Sequence, residues 1–180
     1  MRLFVGIDTP PEINDDLRRF IESLRPLARL RWSPAENLHI TTKFIGEWPE
    51  SQLGEIQTTL LGLENSCPID IAIRGVGWFP DANRPRVFWA HVRSTENALN
   101  SLAQLTETAL LRLGIAPNER KFSPHLTLAR IGESASLEAL RLALRGEQSE
   151  FGGFRAAQFF LYLSAAGTYT KLFAFPLEKL

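Results

Sequence analysis

Two of the three histidines in this 180-residue chain each lie two positions before a threonine. His39 and Thr41 belong to the string Leu-His-Ile-Thr-Thr, and His125 and Thr127 belong to the string His-Leu-Thr-Leu. Each string lies in an apolar run that predicts a β-strand, where side chains at positions i and i+2 point to the same face. We therefore expect each histidine to share a face with its threonine, with one such pair in each half of the chain.

Two imidazoles that flank one site suit proton transfer in both directions. Near neutral pH one imidazole can act as a general base while the other, in its protonated form, acts as a general acid. Threonine hydroxyls beside them can donate hydrogen bonds to the non-bridging oxygens of a phosphate. This set of groups fits an in-line displacement at phosphorus that requires no metal ion.

Alternating strands and helices predicted along the rest of the chain must position these pairs. Apolar residues at helical spacing predict a helix capped by Thr9 and ending near Leu24, and further helices over residues 51–63, 95–113 and 136–145. β-branched and aromatic runs predict strands over residues 2–7, 38–45, 69–79, 86–92, 125–131, 154–163 and 170–175. The last two strands form a predicted hairpin around Ala166 and Gly167. Such hairpins favour an α+β fold with antiparallel pairing over a doubly wound parallel sheet.

The composition indicates a single globular domain over residues 1–180. Twenty basic residues balance twenty acidic ones, which argues against a protein that coats nucleic acid but permits recognition of a nucleic-acid end at a small site. The single cysteine, Cys67, excludes a disulfide framework and a cysteine-rich zinc site. The sequence shows neither a secretion signal nor a membrane helix, so we expect a cytoplasmic protein with no membrane partner.

The two histidine motifs and their flanks resemble those of the 2H phosphoesterase superfamily. Residues 2–5, 37–47, 85–90 and 122–130 are similar to the RNA 2′,3′-cyclic phosphodiesterase branch, also called the 2′-5′ RNA ligase family. The resemblance extends from Arg2 to the region of Tyr169. Two correctly flanked motifs in this order are a much more specific signal than one.

This resemblance implies a fold, a reaction and residue roles. The fold is bilobal, with a central cleft between two antiparallel sheets that are each flanked by helices and related by pseudo-two-fold symmetry. The reaction is hydrolysis of 2′,3′-cyclic phosphate ends of short or tRNA-like RNA to 2′-phosphates, by a monomer that uses no metal and no other cofactor. Some members also join RNA ends through a 2′-5′ bond.

The resemblance also assigns the motif residues by position. His39 matches the proton donor to the leaving 3′ oxygen, His125 matches the proton acceptor that activates water, and Thr41 and Thr127 match the phosphate-binding threonines. On the sequence alone the two histidines remain nearly interchangeable. Thr42 departs from the family pattern, where leucine is common, and its side chain is expected to face away from the cleft.

Lys43 and Arg130 are further candidates for substrate binding. Lys43 is an even number of residues from His39, so strand alternation puts the two on the same face. Lys43 can therefore either face the anion or be a solvated lysine at the end of the strand. Arg130 has the opposite parity to His125, which favours a nearby salt bridge or a contact with the RNA backbone from a loop. Trp32, beside a predicted turn, is the tryptophan best placed to stack on a base.

Three other functions remain open on the sequence. The same site can serve small cyclic nucleotides, ADP-ribose cyclic phosphate or 2′-5′ oligonucleotides, because the loops that choose among them carry no readable code. A non-catalytic module that binds RNA ends would keep the cleft, although it would have little use for a matched acid and base. A metal-dependent phosphoesterase needs a ligand cluster that the sequence does not suggest.

Overall fold

The computed structural model describes residues 1–63 and 67–177, and within them four α-helices and nine strands. The helices are α1 (Pro11–Leu24), α2 (Leu53–Leu61), α3 (Ala98–Leu111) and α4 (Glu138–Ala143). The strands are β1 (Arg2–Asp8), β2 (Arg31–Trp32), β3 (His39–Glu47), β4 (Ile69–Phe79), β5 (Val87–Ser94), β6 (His125–Arg130), β7 (Glu150–Ala156), β8 (Gln158–Ala165) and β9 (Thr168–Pro176). None of the described helices is long and apolar enough to cross a membrane.

All nine strands join one sheet in the order β7-β4-β5-β6-β3-β1-β8-β9, with β2 paired to β6. Every pairing is antiparallel, which confirms the predicted α+β class. The two motif strands, β3 and β6, lie side by side at the centre and pair at one position, Ile40 with Leu126. The structure therefore has one sheet, in two halves that meet at this pair, where the family resemblance implies two sheets. The pseudo-two-fold symmetry stays a prediction.

Several predicted elements differ from the structure. The strand predicted over residues 154–163 is two strands, β7 and β8, because the chain leaves one edge of the sheet and enters the other half at Ala157. Strand β2 is not predicted, because two residues are too short to show a period. Thr9 does not cap α1. Pro10 is the N-cap, and the Thr9 hydroxyl instead lies 2.5 Å from the Asn14 side-chain oxygen and 3.2 Å from the Leu38 carbonyl oxygen, both of which accept its hydrogen bond. The hairpin around Ala166 and Gly167 is confirmed, since Ala165 pairs with Thr168.

The sheet has a buried core face and an opposite face, which we call the site face. Alternate residues of β1, Leu3, Val5 and Ile7, are at most 1% exposed and point into the core. Direct cross-strand partners share a face. Ile40, the partner of Ile7, is therefore on the core face, and His39, the partner of Asp8, is on the site face. Helix α3 packs against β3 and β5 and buries Leu99, Leu102 and Leu110 in the same core.

A β-bulge follows the threonine of each motif. In β3, Thr41 pairs with Gly6 and Lys43 pairs with Val5, so Thr42 is an extra residue without a partner on β1. In β6, Thr127 pairs with Trp89 and Ala129 pairs with Phe88, so Leu128 is extra in the same way. An extra residue breaks the two-residue alternation, so the side chains that follow it, Lys43 and Arg130 among them, lie on the opposite face from the one that simple parity predicts.

The bulge at Thr42 corrects the prediction that Lys43 faces the phosphate. Lys43 pairs with Val5 on the core face, and its side chain is fully buried. Its ammonium donates to the Glu107 carboxylate at 2.9 Å and to the Ala116 carbonyl at 2.7 Å. Lys43 thus ties β3 to helix α3 and to the segment that leads into β6.

We expect Lys43→Met to lower stability and to leave the site intact. A methionine leaves the Glu107 carboxylate and the Ala116 carbonyl without their cation. Because the Glu107 side chain is 29% exposed, the loss should be smaller than for a fully buried pair, about 2–4 kcal/mol. Urea unfolding measures this loss. Arg155→Met, which breaks an exposed pair with Asp70, is the control and should cost less than about 1 kcal/mol. Unchanged stability with lost activity in Lys43→Met would contradict the buried role.

Candidate active site

The histidine and the threonine of each motif face the same side of the sheet. Ile40 and Leu126, which lie between them, are 0% exposed and point into the core. Their sequence neighbours therefore point to the site face, and all four motif side chains are partly exposed there. The structure thus brings together the four residues that the sequence predicts for catalysis and phosphate binding.

The antiparallel pairing sets which motif residues are neighbours. Because β3 and β6 run in opposite directions through the Ile40 pair, His39 lies on the Thr127 side and Thr41 lies on the His125 side. Each imidazole therefore has the hydroxyl of the other motif as its cross-strand neighbour. The two histidines are also close enough for charge on His125 to affect the pKa of His39.

Both histidines are held by the same local hydrogen bond. Nδ1 of His39 lies 2.7 Å from the Asn37 carbonyl oxygen, and Nδ1 of His125 lies 2.7 Å from the Ser123 carbonyl oxygen. A carbonyl oxygen only accepts, so in each ring Nδ1 carries the hydrogen and donates it. Nε2 is therefore the free atom of each ring, with a lone pair in the neutral form and a proton in the imidazolium.

Aromatic rings surround His39 on the site face. Its ring centroid lies 4.7 Å from that of Phe4, 4.9 Å from that of Tyr169 and 5.7 Å from that of Tyr162. Phe4 and Tyr162 stack on each other at 4.8 Å. Burial raises the pKa of Tyr162, so this phenol stays protonated and does not compete as a base. The rings hold the His39 imidazole in one orientation and shield it from water.

A second aromatic group lies beside His125. Phe79 meets its ring edge-on at 5.2 Å and Trp89 at 5.9 Å. Trp89 is itself stacked on Phe79 at 4.5 Å and lies 4.1 Å from His91. A Cβ atom at Gly77 would lie 2.7 Å from the Trp89 ring, so the absence of a side chain there lets the indole lie flat on β4.

Burial is the main influence on both histidines and lowers the pKa of each below its ordinary value. The carbonyl bonds at Nδ1 act in the opposite direction and raise the pKa, while the Arg130 charge lowers the pKa of both rings. The two sites differ in their cross-strand partners, because His39 is paired with Asp8 and His125 with His91. The Asp8 carboxylate raises the pKa of His39 and so favours its protonated form.

Sequence reasoning does not single out Asp8, although its carboxylate pairs with His39 and raises the pKa of that histidine. It is the last residue of β1, and Lys171 of β9 donates to its carboxylate. Its role follows from its register with His39 across β1 and β3, and a single sequence does not show strand register. The sequence itself shows only a carboxylate at the end of a predicted strand.

The two motif threonines are partly exposed on the site face, unlike their neighbour Thr42. Thr42 is buried, and its hydroxyl donates to the Val5 carbonyl at 3.2 Å. Gly6 lies opposite Thr41, and a Cβ atom there would come 2.8 Å from the Ile40 carbonyl oxygen. A glycine at this position therefore lets β1 lie close beside the motif strand.

Arg130 is on the site face, contrary to its predicted parity. The bulge at Leu128 shifts the alternation, and Arg130 pairs with Val87, whose strand neighbour Phe88 is fully buried on the core face. The influence of Arg130 on the pKa of both histidines shows that its charge lies near them. A bulge in β3 therefore turns Lys43 away from the site face, and a bulge in β6 turns Arg130 toward it.

His91 joins the site face as the cross-strand partner of His125. Within residues 1–63 and 67–177, however, no three side chains of His, Cys, Asp or Glu are grouped closely enough to hold a metal ion.

The chain matches a family model and several named proteins. Residues 7–89 and 92–167, which contain both motifs, match the model described as LigT like Phosphoesterase. The RNA 2′,3′-cyclic phosphodiesterase of Methanocaldococcus jannaschii is 33% identical over 165 residues, 91% of each chain. The protein of the same name from Aquifex aeolicus is 34% identical over 84% of this chain and 82% of its own.

Solved structures share the fold over nearly the whole length. A Thermus thermophilus protein has a TM-score of 0.79 at 28% identity and covers 98% of both chains. E. coli LigT, solved in complex with 3′-AMP, has a TM-score of 0.80 at 26% identity over 99% of this chain and 98% of its own. With a family model that spans both motifs and relatives that match over 84% and 91% of its length, the chain belongs to the LigT-like phosphoesterase family.

Proposed function

We propose that this protein hydrolyses the 2′,3′-cyclic phosphate at the end of an RNA strand and leaves a 2′-phosphate and a 3′-hydroxyl. The observation that carries the proposal is the matched pair of imidazoles on one face, each with Nδ1 committed to a backbone carbonyl and Nε2 free. The reaction named for the relatives needs one group to take a proton and another to give one. The two Nε2 atoms supply these groups.

Each histidine has one role in the proposed step. Nε2 of His125 takes a proton from a water molecule as the water oxygen bonds to phosphorus. The bond from phosphorus to the 3′ oxygen breaks on the opposite side, and Nε2 of His39 gives its proton to that oxygen. A 5′-hydroxyl in place of water would yield a 2′-5′ linkage by the same steps. We propose that neither reaction, with water or with a 5′-hydroxyl, needs a metal ion.

The Asp8 carboxylate supports the assignment of His39 as the proton donor. A donor must carry its proton before the step, and a nearby carboxylate stabilises the imidazolium. Burial lowers the pKa of both histidines. Of the two, His39 has a carboxylate, Asp8, that acts against this effect, whereas His125 faces His91 at the corresponding position of its strand, which supports His125 as the proton acceptor. The family resemblance and the electrostatics thus favour the same assignment.

We propose that three side chains bind the phosphate itself. Thr41 and Thr127 carry hydroxyl donors on the site face, on either side of the Ile40–Leu126 pair. Arg130 adds a fixed positive charge near both histidines. Charge-assisted hydrogen bonds of this kind are stronger than neutral ones, and they stabilise the charge that builds up on the oxygens in the transition state.

We expect His39→Ala and His125→Ala each to lower kcat/KM by at least about 100-fold, the usual loss for a general acid or base. The substrate is a short RNA that ends in 2′,3′-cyclic phosphate, assayed in EDTA, and the product is identified as a 2′-phosphate by mass and phosphatase sensitivity. His91→Ala, which removes the third histidine, is the matched control and should retain most activity. RNA binding without turnover by the wild type would favour the non-catalytic module, and loss of wild-type activity in EDTA would favour a metal enzyme.

A substrate with sulfur in place of the 3′ oxygen distinguishes the two roles. A thiolate leaves without protonation, so His39→Ala should recover most of its lost rate on this substrate, relative to the wild type. His125→Ala should remain at least about 100-fold slower, because water still needs a base. The rate of thiol release measures the activity of each variant on this substrate. Recovery in His125→Ala alone would reverse the assignment.

Asp8→Asn should lower the pKa of His39 further below its ordinary value and leave that of His125 unchanged. The carboxylate that stabilises the His39 imidazolium is lost, so less of the donor is protonated near neutral pH and kcat/KM should fall. NMR titration resolves this, because the chain has three histidines. The control is Asp70→Asn, which removes a carboxylate from the exposed ion pair between Arg155 and Asp70 and should leave the pKa of His39 unchanged. An unchanged His39 pKa would remove Asp8 from the mechanism.

A further inference from the structure

A cavity of about 530 Å³ lies beside β2 and the end of β6, and the proposed reaction does not use it. Arg25, Arg29 and Arg31 contribute to its lining, together with an apolar wall that includes Trp32 and Ile131. The lining contains no carboxylate among the described residues. In a chain whose formal net charge is zero, three arginines around one cavity are a local concentration of positive charge.

These arginines are not committed to ion pairs within the described parts of the chain. The ion pairs found there involve other cations, among them Arg18, Arg74 and Arg155. Glu133 follows the cavity residue Gly132 in the sequence, but its carboxylate is bound by Arg86 at 3.0 Å. The positive charge of the cavity is therefore available to an anion.

The pairing of β2 with β6 connects this cavity to the site. Arg31 is the direct partner of Arg130, so the two side chains lie on the same face, which is the site face. Arg130 lies three positions after Thr127 but, because Leu128 is an extra residue, only two residue steps along the strand, roughly 7 Å. A basic path thus runs from the phosphate-binding threonine through Arg130 and Arg31 to the edge of the sheet at β2. The cavity is lined from both faces of that edge, because Trp32, the partner of Ala129, points to the core face.

We propose that this cavity binds the RNA strand on the 5′ side of the cyclic phosphate, an inference that rests on the proposed function. A cyclic phosphate is the last group of its strand, so the remaining phosphodiesters must leave the site in one direction. Arginine guanidinium groups bind phosphate oxygens through paired N–H donors. An apolar wall beside them can pack against a base.

The Trp32 indole is held in place before any ligand binds. Its Nε1 donates to the Ala28 carbonyl at 3.3 Å, and its ring meets Phe88 edge-on at 6.2 Å. A ring fixed in this way offers a surface for a base at little cost in conformational entropy. The substrate class that follows is an oligonucleotide, which should be preferred over a mononucleotide 2′,3′-cyclic phosphate because only the oligonucleotide reaches the cavity.

The test compares an oligonucleotide and a mononucleotide that carry the same terminal 2′,3′-cyclic phosphate. The wild type should have the higher kcat/KM on the oligonucleotide. The triple variant R25Q/R29Q/R31Q should lose about tenfold or more on it, with a salt dependence reduced by about 0.7 in log–log slope for each phosphate that the variant no longer neutralises. On the mononucleotide the variant should stay within about twofold of the wild type, since the site is intact. The control is Arg112→Gln, at an exposed arginine at the end of α3. It should leave kcat/KM unchanged on both substrates.

Binding gives a readout that does not depend on turnover. The affinity of a labelled oligonucleotide that ends in 2′-phosphate, measured by fluorescence anisotropy, should fall in the triple variant and persist in Arg112→Gln. Equal kcat/KM of the wild type on both substrates, or an unchanged affinity in the triple variant, would overturn the cavity as an RNA site. Wild-type binding that is lost in the triple variant, without hydrolysis of either substrate, would instead support the cavity and reject the proposed hydrolysis.

Discussion

The pairing of Ile40 with Leu126 is the contact on which the site depends. It is the position where the two central strands hydrogen-bond, and it joins the two halves of the sheet. Because both side chains are fully buried, the residues before and after each of them must emerge on the other face. One buried apolar pair therefore places two histidines and two threonines on the same face of the sheet. The two motifs that supply them are more than eighty positions apart in the sequence. Strand direction then places each histidine beside the threonine of the other motif.

The bulges decide which charges accompany these four residues. A regular β3 would place Lys43 on the site face, and a regular β6 would turn Arg130 away from it. The extra residues Thr42 and Leu128 reverse both outcomes. A lysine at the phosphate would be free to move on a long stem, whereas the same lysine in the core anchors the segment that leads into β6. An arginine at the site supplies a rigid fork with a permanent charge, which suits the proposed phosphate ligand better.

The sequence predicts the parts of this site that depend on local pattern, and it misses those that depend on register. Apolar alternation places both motifs on strands, and the spacing of each histidine and threonine is enough to put them on one face. A bulge leaves no such mark, since it arises from how a strand pairs with its neighbour. Lys43 and Arg130 are therefore predicted on the wrong faces, and the short strand that carries Arg31 is not predicted. Asp8 is missed for the same reason, because its importance comes from pairing with His39.

Two histidines with the same backbone contact can take different roles only through their surroundings. Both Nδ1 atoms donate to a carbonyl at the same distance, so the carbonyl bonds alone give neither ring a preference for its proton. Arg130 lowers the pKa of both histidines, so its charge does not favour the protonated form of one ring over that of the other. Asp8 favours the charge on His39, and it belongs to β1, which pairs with the first motif strand and not with the second. The proposed difference between acid and base is thus made by a neighbouring strand, β1, while the motifs themselves remain alike. Such a division would let the motifs keep the geometry that a phosphate requires while β1 adjusts the proton affinity of one imidazole.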